Sequence, residues 1–151
     1  MLDELYNAKI LSYAGNISCV GTLERPQGSA TKIAKLCGSK VSVDIVVDAG
    51  LVSEFAQQVK ACALGQASAS IVAENIIGAS LSELSTAQRQ LADMLAGKDV
   101  EPDGRFEALK YLKPVRDHKS RHASTLLVLD AVLEAANDLH GEPLTEAQSN
   151  S

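Results

Sequence analysis

The chain has no tryptophan and only 3% aromatic residues: Tyr6, Tyr13, Phe55, Phe106 and Tyr111. Its core must therefore be mostly aliphatic and alanine. The sequence also lacks excess positive charge, with a formal net charge of −5. A general nucleic-acid binder needs a basic footprint and commonly stacking rings, so that class is disfavoured. No apolar run reaches the roughly 18 residues that suggest a membrane span. The opening Met1-Leu2-Asp3-Glu4 is acidic and lacks the basic and apolar regions of a signal peptide. Cysteine is scarce as well: three residues, an odd number at wide spacing, read as reduced thiols rather than a disulfide framework. The expected compartment is the cytoplasm. What is present, 151 residues with 46% hydrophobic and 22% charged, fits one soluble globular domain that needs no staples.

Residues 3 to 14 predict an amphipathic helix, with Asp3 as N-cap and Leu2, Leu5, Tyr6, Ile10 and Tyr13 on one stripe. Four extended stretches follow: 17 to 23, about 30 to 36, 40 to 47 with alternating Val41, Val43, Ile45 and Val47, and 51 to 61. From Ala63 the period becomes helical as far as Ile77, with Gly78 beyond it. Ser80-Leu81-Ser82-Glu83 forms a capping box for a helix over 81 to 95. Residues 97 to 104 read as a loop, and 106 to 111 as one or two helical turns stopped before Pro114. A last helix spans 120 to 139, with Leu126, Leu129, Val132, Leu133 and Ala136 inward. Strands first and helices afterwards make an α+β domain: a small three- to four-stranded antiparallel sheet with helices packed on one face. The domain is expected to fill residues 1–140, with a flexible tail over 141–151.

Two cysteines occupy chemically suggestive places. Cys37 opens the turn Cys37-Gly38-Ser39, where glycine permits a bend that points the thiol off the sheet edge. Cys62 stands at a predicted helix N-terminus, where unpaired N–H groups favour negative charge, and Lys60 is two residues back. Small residues at 63, 65, 67, 68 and 69 let another element approach closely. The plain alternatives are an inert cysteine in tight helix–sheet packing and a turn that happens to carry a thiol. A separation of 25 residues is not a local zinc-finger spacing, so any shared site must be assembled by the fold. Cys19, in the first predicted strand, reads as a core thiol. A basic strip over 105 to 122 contains Arg105, Lys110, Lys113, Arg116, Lys119 and Arg121. It reads as a solvated face or as an attraction for an acidic partner. His122, within it, is a solvated helix-start residue or a neutral imidazole ligand for the thiols.

The segments CGSKVSVDI (37–45), ACALGQASASIVAENIIG (61–78) and LKPVRDHKSRHASTLLVLDAVLEAA (112–136) resemble the NifU-like (IscU/SufU-type) iron–sulfur cluster assembly scaffolds. The resemblance covers nearly the whole chain and implies the same α+β fold. It implies a site of three cysteines and an aspartate, with a histidine beside the third cysteine in some members. The first two cysteines fall on Cys37 and Cys62. The aspartate position is Ser39, the third cysteine position is Ser124, and Ala123 precedes it. Leu112-Lys113-Pro114-Val115-Arg116 resembles the chaperone-binding stretch of one branch, with one of its two prolines missing.

On that resemblance the chain is a non-enzymatic scaffold. It binds iron and sulfur transiently through Cys37 and Cys62, with Ser39, His122 and Ser124 at the margin of the site, and passes the cargo to acceptor apo-proteins. The implied cargo is a labile cluster, [2Fe-2S], or else zinc. The implied partners are a cysteine desulfurase, the acceptors and a chaperone, with no nucleic acid and no membrane. Clusters generally take four thiolates, so a homodimer contributing two cysteines from each subunit is one way to complete the set. The alternatives are a zinc-bound or metal-free sulfur acceptor that carries persulfide on Cys62, and a degenerate adaptor that works through the basic strip.

Overall fold

The computed structural model describes residues 7–137 and 139. In chain order the elements are α1 (Ala8–Ala14), β1 (Gly28–Ala34), β2 (Ser39–Asp48), β3 (Leu51–Lys60), α2 (Ala63–Asn75) and α3 (Leu81–Leu95). A long 3-10 segment (Gly104–Asp117), a short one (Lys119–Arg121) and α4 (His122–Asn137) complete the set. The strands form an antiparallel sheet in the order β1-β2-β3. Ala49 and Gly50, with φ of 55° and 83°, supply the left-handed pair that a two-residue hairpin between β2 and β3 requires. Alternation along β2 buries Ser39, Val41, Val43, Ile45 and Val47. The helical layer lies over that face: α4 packs on β1 and β2, and α2 contacts β3, α1 and α4. The fold is α+β, and the sheet has three strands.

The predicted strand over 17–23 does not form. Cys19 has φ +60°, a left-handed conformation that an extended run cannot pass through. The segment instead meets the outer edge of β3 at an isolated parallel bridge, Val20 to Gln57. There the Gln57 N–H donates to the Cys19 carbonyl and the Gly21 N–H to the Gln57 carbonyl. The first helix is capped at Asn7, whose side chain accepts from the Ile10 N–H. The start expected at Asp3, with Leu2, Leu5 and Tyr6, lies outside the described residues, as does the tail over 141–151.

The α2 helix is buried almost all round, with nine of its 13 residues inaccessible. Its alanines and serines keep it thin enough for that. The capping box starts α3 as its sequence predicts: Ser80 accepts from the Glu83 N–H, and Glu83 accepts from the Ser80 N–H. The segment over 106–111 does not stop before Pro114. It continues as 3-10 structure through Asp117, with Pro114 inside and a kink at Phe106. Phe106, Leu109, Leu112 and Val115 are all buried. Their spacing of three matches three residues per turn, and each fully buried side chain stabilises the fold by about 1.5–3 kcal/mol.

The last helix begins at His122, after the short 3-10 turn, rather than at 120. Its inward face is Leu127, Val128, Leu129, Ala131, Val132, Ala135 and Ala136, while Leu126 and Leu133 are only half-buried. The α4 helix rests on a sheet, a neighbouring helix and α3 at once, so its buried stripe is wider than a single-face reading allows. Among the described residues no helix is long and apolar enough to cross a membrane.

Candidate functional site

Three chain segments converge at one end of the sheet. The hairpin between β1 and β2 turns at Gly38, whose φ of +76° needs a residue without Cβ, and its N–H donates to the Ala34 carbonyl. That turn leaves Cys37 exposed at its tip. Ser39, the first residue of β2, falls on the inward side of the pleat and is 3% exposed. Cys62 is the N-cap of α2, in extended conformation and with no side-chain capping bond. Its thiol is therefore free to face the site. Ser124, in the first turn of α4, is 1% exposed.

The close approach of α4 to α2 depends on Gly65. A Cβ there would stand 2.8 Å from the Ala61 Cβ, 2.8 Å from the Ser124 Oγ and 3.2 Å from the Ser124 carbonyl oxygen. The small-residue helix read from the sequence thus has a definite use. It lets the Ser124 backbone lie against the first turn of α2, beside Cys62.

The four side chains form one connected string. The Cys37 Sγ lies 3.1 Å from the Ser39 Oγ, and that hydroxyl lies 3.1 Å from the Ser124 Oγ. The Ser124 Oγ lies 3.5 Å from the Cys62 Sγ. Each hydroxyl has one proton to donate. With Cys37 as thiolate the string runs in one direction: Cys62 S–H to Ser124, Ser124 O–H to Ser39, and Ser39 O–H to Cys37. The Cys37 thiol is held below its ordinary pKa, first by the Ser39 hydroxyl and then by the Ser39 backbone N–H. Burial opposes the shift; Ser124 and the Arg121 guanidinium reinforce it. A depressed pKa on an exposed sulfur raises the share of thiolate at a position that reagents can reach.

Among the described residues no group of three or more His, Cys, Asp and Glu side chains could hold a metal ion. The donor set on one chain is two thiols and two neutral hydroxyls. Thiolates suit iron and zinc, whereas a neutral hydroxyl is a poor ligand for either.

His122 is engaged elsewhere. Its Nε2 lies 3.0 Å from the Val115 carbonyl and 3.1 Å from that of Arg116, which ties the ring to the end of the 3-10 segment. Cys19, half-buried at the core margin, is not part of the string. The basic strip is partly neutralised within the chain. Arg105 binds Glu83 and the carbonyls of Asn75 and Ile77, and Lys113 pairs with Glu101. In the stretch over 112–116, Leu112 and Val115 are fully buried, so its apolar residues belong to the core rather than to an exposed docking strip. Arg121 was legible only as one cation of the strip. Its position one helical turn before Ser124 is the signal that could have singled it out.

Comparison with known proteins shows the family of the chain. The family described as the NifU-like N-terminal domain matches residues 5–138. The crystal structure of a nitrogen-fixing NifU-like protein (N-terminal) from Brucella abortus is 48% identical, with a TM-score of 0.88 over 91% of this chain and 95% of that one. An iron–sulfur cluster assembly scaffold protein IscU from Thermotoga maritima is 24% identical over 135 residues, 87% of this chain and 92% of the relative. A SUF-system scaffold structure from Fervidobacterium islandicum has a TM-score of 0.81 at 20% identity, covering 88% of this chain and 97% of that one. That last likeness speaks for the fold.

Proposed function

Because the chain belongs to the NifU-like N-terminal domain family, we propose that it is an iron–sulfur assembly scaffold whose cargo is held by Cys37 and Cys62. The observation that carries this reading is the string Cys37–Ser39–Ser124–Cys62, drawn from three distant segments and anchored at both ends by thiols. Those four residues fall on the positions that the family resemblance marks. The role of each follows from its chemistry. Cys37, exposed and with a lowered pKa, is the point of entry for iron or sulfur. Cys62, half-buried at the N-terminus of α2, is the second soft donor. Ser39 and Ser124 hold the thiols apart; Ser39 donates to the Cys37 sulfur and Ser124 orients Ser39 for it, which favours the deprotonated form that binds metal.

Two soft donors bind a cluster weakly compared with a complete thiolate set. Weak binding suits a carrier that must release its cargo. No turnover chemistry is assigned. A cysteine desulfurase is the sulfur source that fits, apo-proteins are the recipients, and the cytoplasm, which keeps thiols reduced, is the setting.

Anaerobic incubation with iron and sulfide tests the reading. Visible absorption of a cluster is expected in the native protein and is lost in Cys37→Ala and in Cys62→Ala. Absorption that persists unchanged in both variants would sink it.

The exposure and lowered pKa of Cys37 also favour a second reading, a metal-free sulfur acceptor. In that case persulfide collects on Cys37 rather than on Cys62, the position expected from sequence, because Cys62 is half-buried behind Ser124. Mass spectrometry after incubation with a desulfurase and cysteine, in protein free of iron, distinguishes the two.

A further inference from the structure

The face of the sheet turned away from the helices carries a charged feature at the end where the thiols stand. Alternation along β2 sends Ser39, Val41 and Val43 inward, so Lys40, Ser42 and Asp44 lie on the outer side. The register sets Ile33, Lys40 and Lys60 in one row across the three strands, and Thr31, Ser42 and Gln58 in the next. Lys40 and Lys60 are therefore directly opposed. Such neighbours have Cβ atoms about 4.5–5.5 Å apart, and like charges placed this way destabilise a sheet. Among the described residues neither ammonium group has an ion pair or a hydrogen bond to offset that repulsion.

The surroundings give the pair a direction. Asp44, in the third row opposite Ala56, accepts from the Ser29 hydroxyl at 2.6 Å and from the Leu23 N–H at 3.0 Å, so its carboxylate is already engaged. Glu54, exposed on the same face, stands towards the other end of β3 opposite Val46. The outer face thus runs from unpaired cations at the thiol end to carboxylates beyond, in a chain whose net charge is −5. Apolar surface adjoins the cations: Ile33 in the row itself is 58% exposed, and Leu36 in the adjoining turn 81%. A groove of about 240 Å³ lies between Lys40, Ser42, Gln58 and Lys60.

From this placement we infer that the outer sheet face at Lys40 and Lys60 docks an acidic segment of a partner protein, with an apolar side chain beside its carboxylates. A carboxylate seated between the two ammonium groups turns their repulsion into attraction. The exposed Gln58 amide adds donors for it, and Ser42 is held in place by the Thr31 hydroxyl at 2.8 Å. A small anion would use the lysines alone, whereas Ile33 and Leu36 call for an apolar neighbour that a peptide supplies. The charge gradient steers such a segment to the thiol end and away from Glu54. Ser39 and Lys40 are consecutive and face opposite sides of β2, so the partner seats on the back of the strand that carries the string. This surface is separate from the basic strip over 105–122, and the inference does not depend on what the thiols carry.

The test follows the amide NMR signals of the isotope-labelled full chain at low salt. One sample is titrated with a synthetic peptide of glutamates carrying a central leucine, and a parallel sample with inorganic phosphate. The expected result is saturable movement of Ile33, Lys40, Ser42, Gln58 and Lys60 with the peptide, reversed as salt is raised. Lys40→Gln with Lys60→Gln should weaken peptide binding about fivefold, while Lys110→Gln with Lys119→Gln, in the strip, leaves it unchanged. The first double variant should also keep or raise the native Tm, because it removes a repulsion. Signals that move over 105–122 instead, or peptide affinity retained by the first double variant, overturn the inference. Phosphate that saturates the same signals as tightly as the peptide makes this a small-anion site and also overturns it. A lowered Tm in the first double variant overturns it too, because the lysines would then already have a partner within the chain.

Discussion

Replacing Gly65 by alanine tests how the site is assembled. The new Cβ would stand 2.8 Å from the Ala61 Cβ, 2.8 Å from the Ser124 Oγ and 3.2 Å from the Ser124 carbonyl. The Ser124 hydroxyl is buried and held by Ser39 and Cys62, so turning it away breaks those contacts, and the Ala61 Cβ and the Ser124 carbonyl are fixed to backbone. Relief therefore requires both the start of α4 to move off α2 and the backbone at Ala61, just before α2, to give way. Overpacking of this kind typically costs about 1–3 kcal/mol. Against it stands the gain in helix propensity from glycine to alanine, about 0.8–1.0 kcal/mol in a helix interior. Residue 65 lies in the first turn of α2, where that gain is smaller. The net effect is destabilisation of about 1–2 kcal/mol, which at ~2–4 °C per kcal/mol for a chain of this size lowers Tm by about 2–8 °C.

The same movement draws Ser124 away from both thiols, so Cys37 loses one of the contacts that lowers its pKa. Calorimetry measures the first effect. The pH dependence of Cys37 alkylation, followed by peptide mass spectrometry, measures the second and should move to higher pH. A variant with raised Tm and an unchanged alkylation profile would refute the close-packing argument.

Ser39→Ala removes the largest contribution to the lowered Cys37 pKa; the alkylation midpoint should rise, with Cys19 alkylation as the internal control. Asp130 is held above its ordinary pKa by burial, with the Gln88 amide and Lys32 opposing. A carboxyl with a raised folded pKa favours folding below its ordinary pKa, and that contribution is lost as pH rises through the folded value. Asp130→Asn keeps an acceptor for Gln88, so urea unfolding at neutral pH should show a gain in stability that shrinks towards acid pH. Ser80→Ala removes the hydroxyl that accepts from the Glu83 N–H. It should cost about 0.5–2 kcal/mol, read as a lower urea midpoint with no effect on Cys37 alkylation.

Local rules made much of this molecule legible. The alternation at 41, 43, 45 and 47 gave β2 its register, and the capping box located α3 to the residue. The shift from period two to small-residue helix at 62 put Cys62 at an N-cap. The misses have specific physical causes. The apolar run over 17–23 looks like a strand, but Cys19 takes φ +60°, which composition does not reveal. Phe106, Leu109, Leu112 and Val115 repeat every third residue, a 3-10 period that a search for 3.6 passes over.

In the site, Cys37 and Cys62 were visible as local features, whereas Ser39 and Ser124 gained meaning only through family resemblance. Nothing local ties residue 124 to residues 39 and 62; the packing of α4 across β2 and α2 does. His122 was read as a ligand candidate from type and position alone, and the carbonyls that engage its ring come from a 3-10 segment the sequence reading had ended too early.

Anomalous diffraction at the iron edge, from crystals of protein loaded anaerobically with iron and sulfide, tests the central claim most directly. An iron peak within bonding distance of Cys37 and Cys62, beside Ser39 and Ser124, is the predicted result. Iron bound away from both thiols, at His122 or at Cys19, would contradict it.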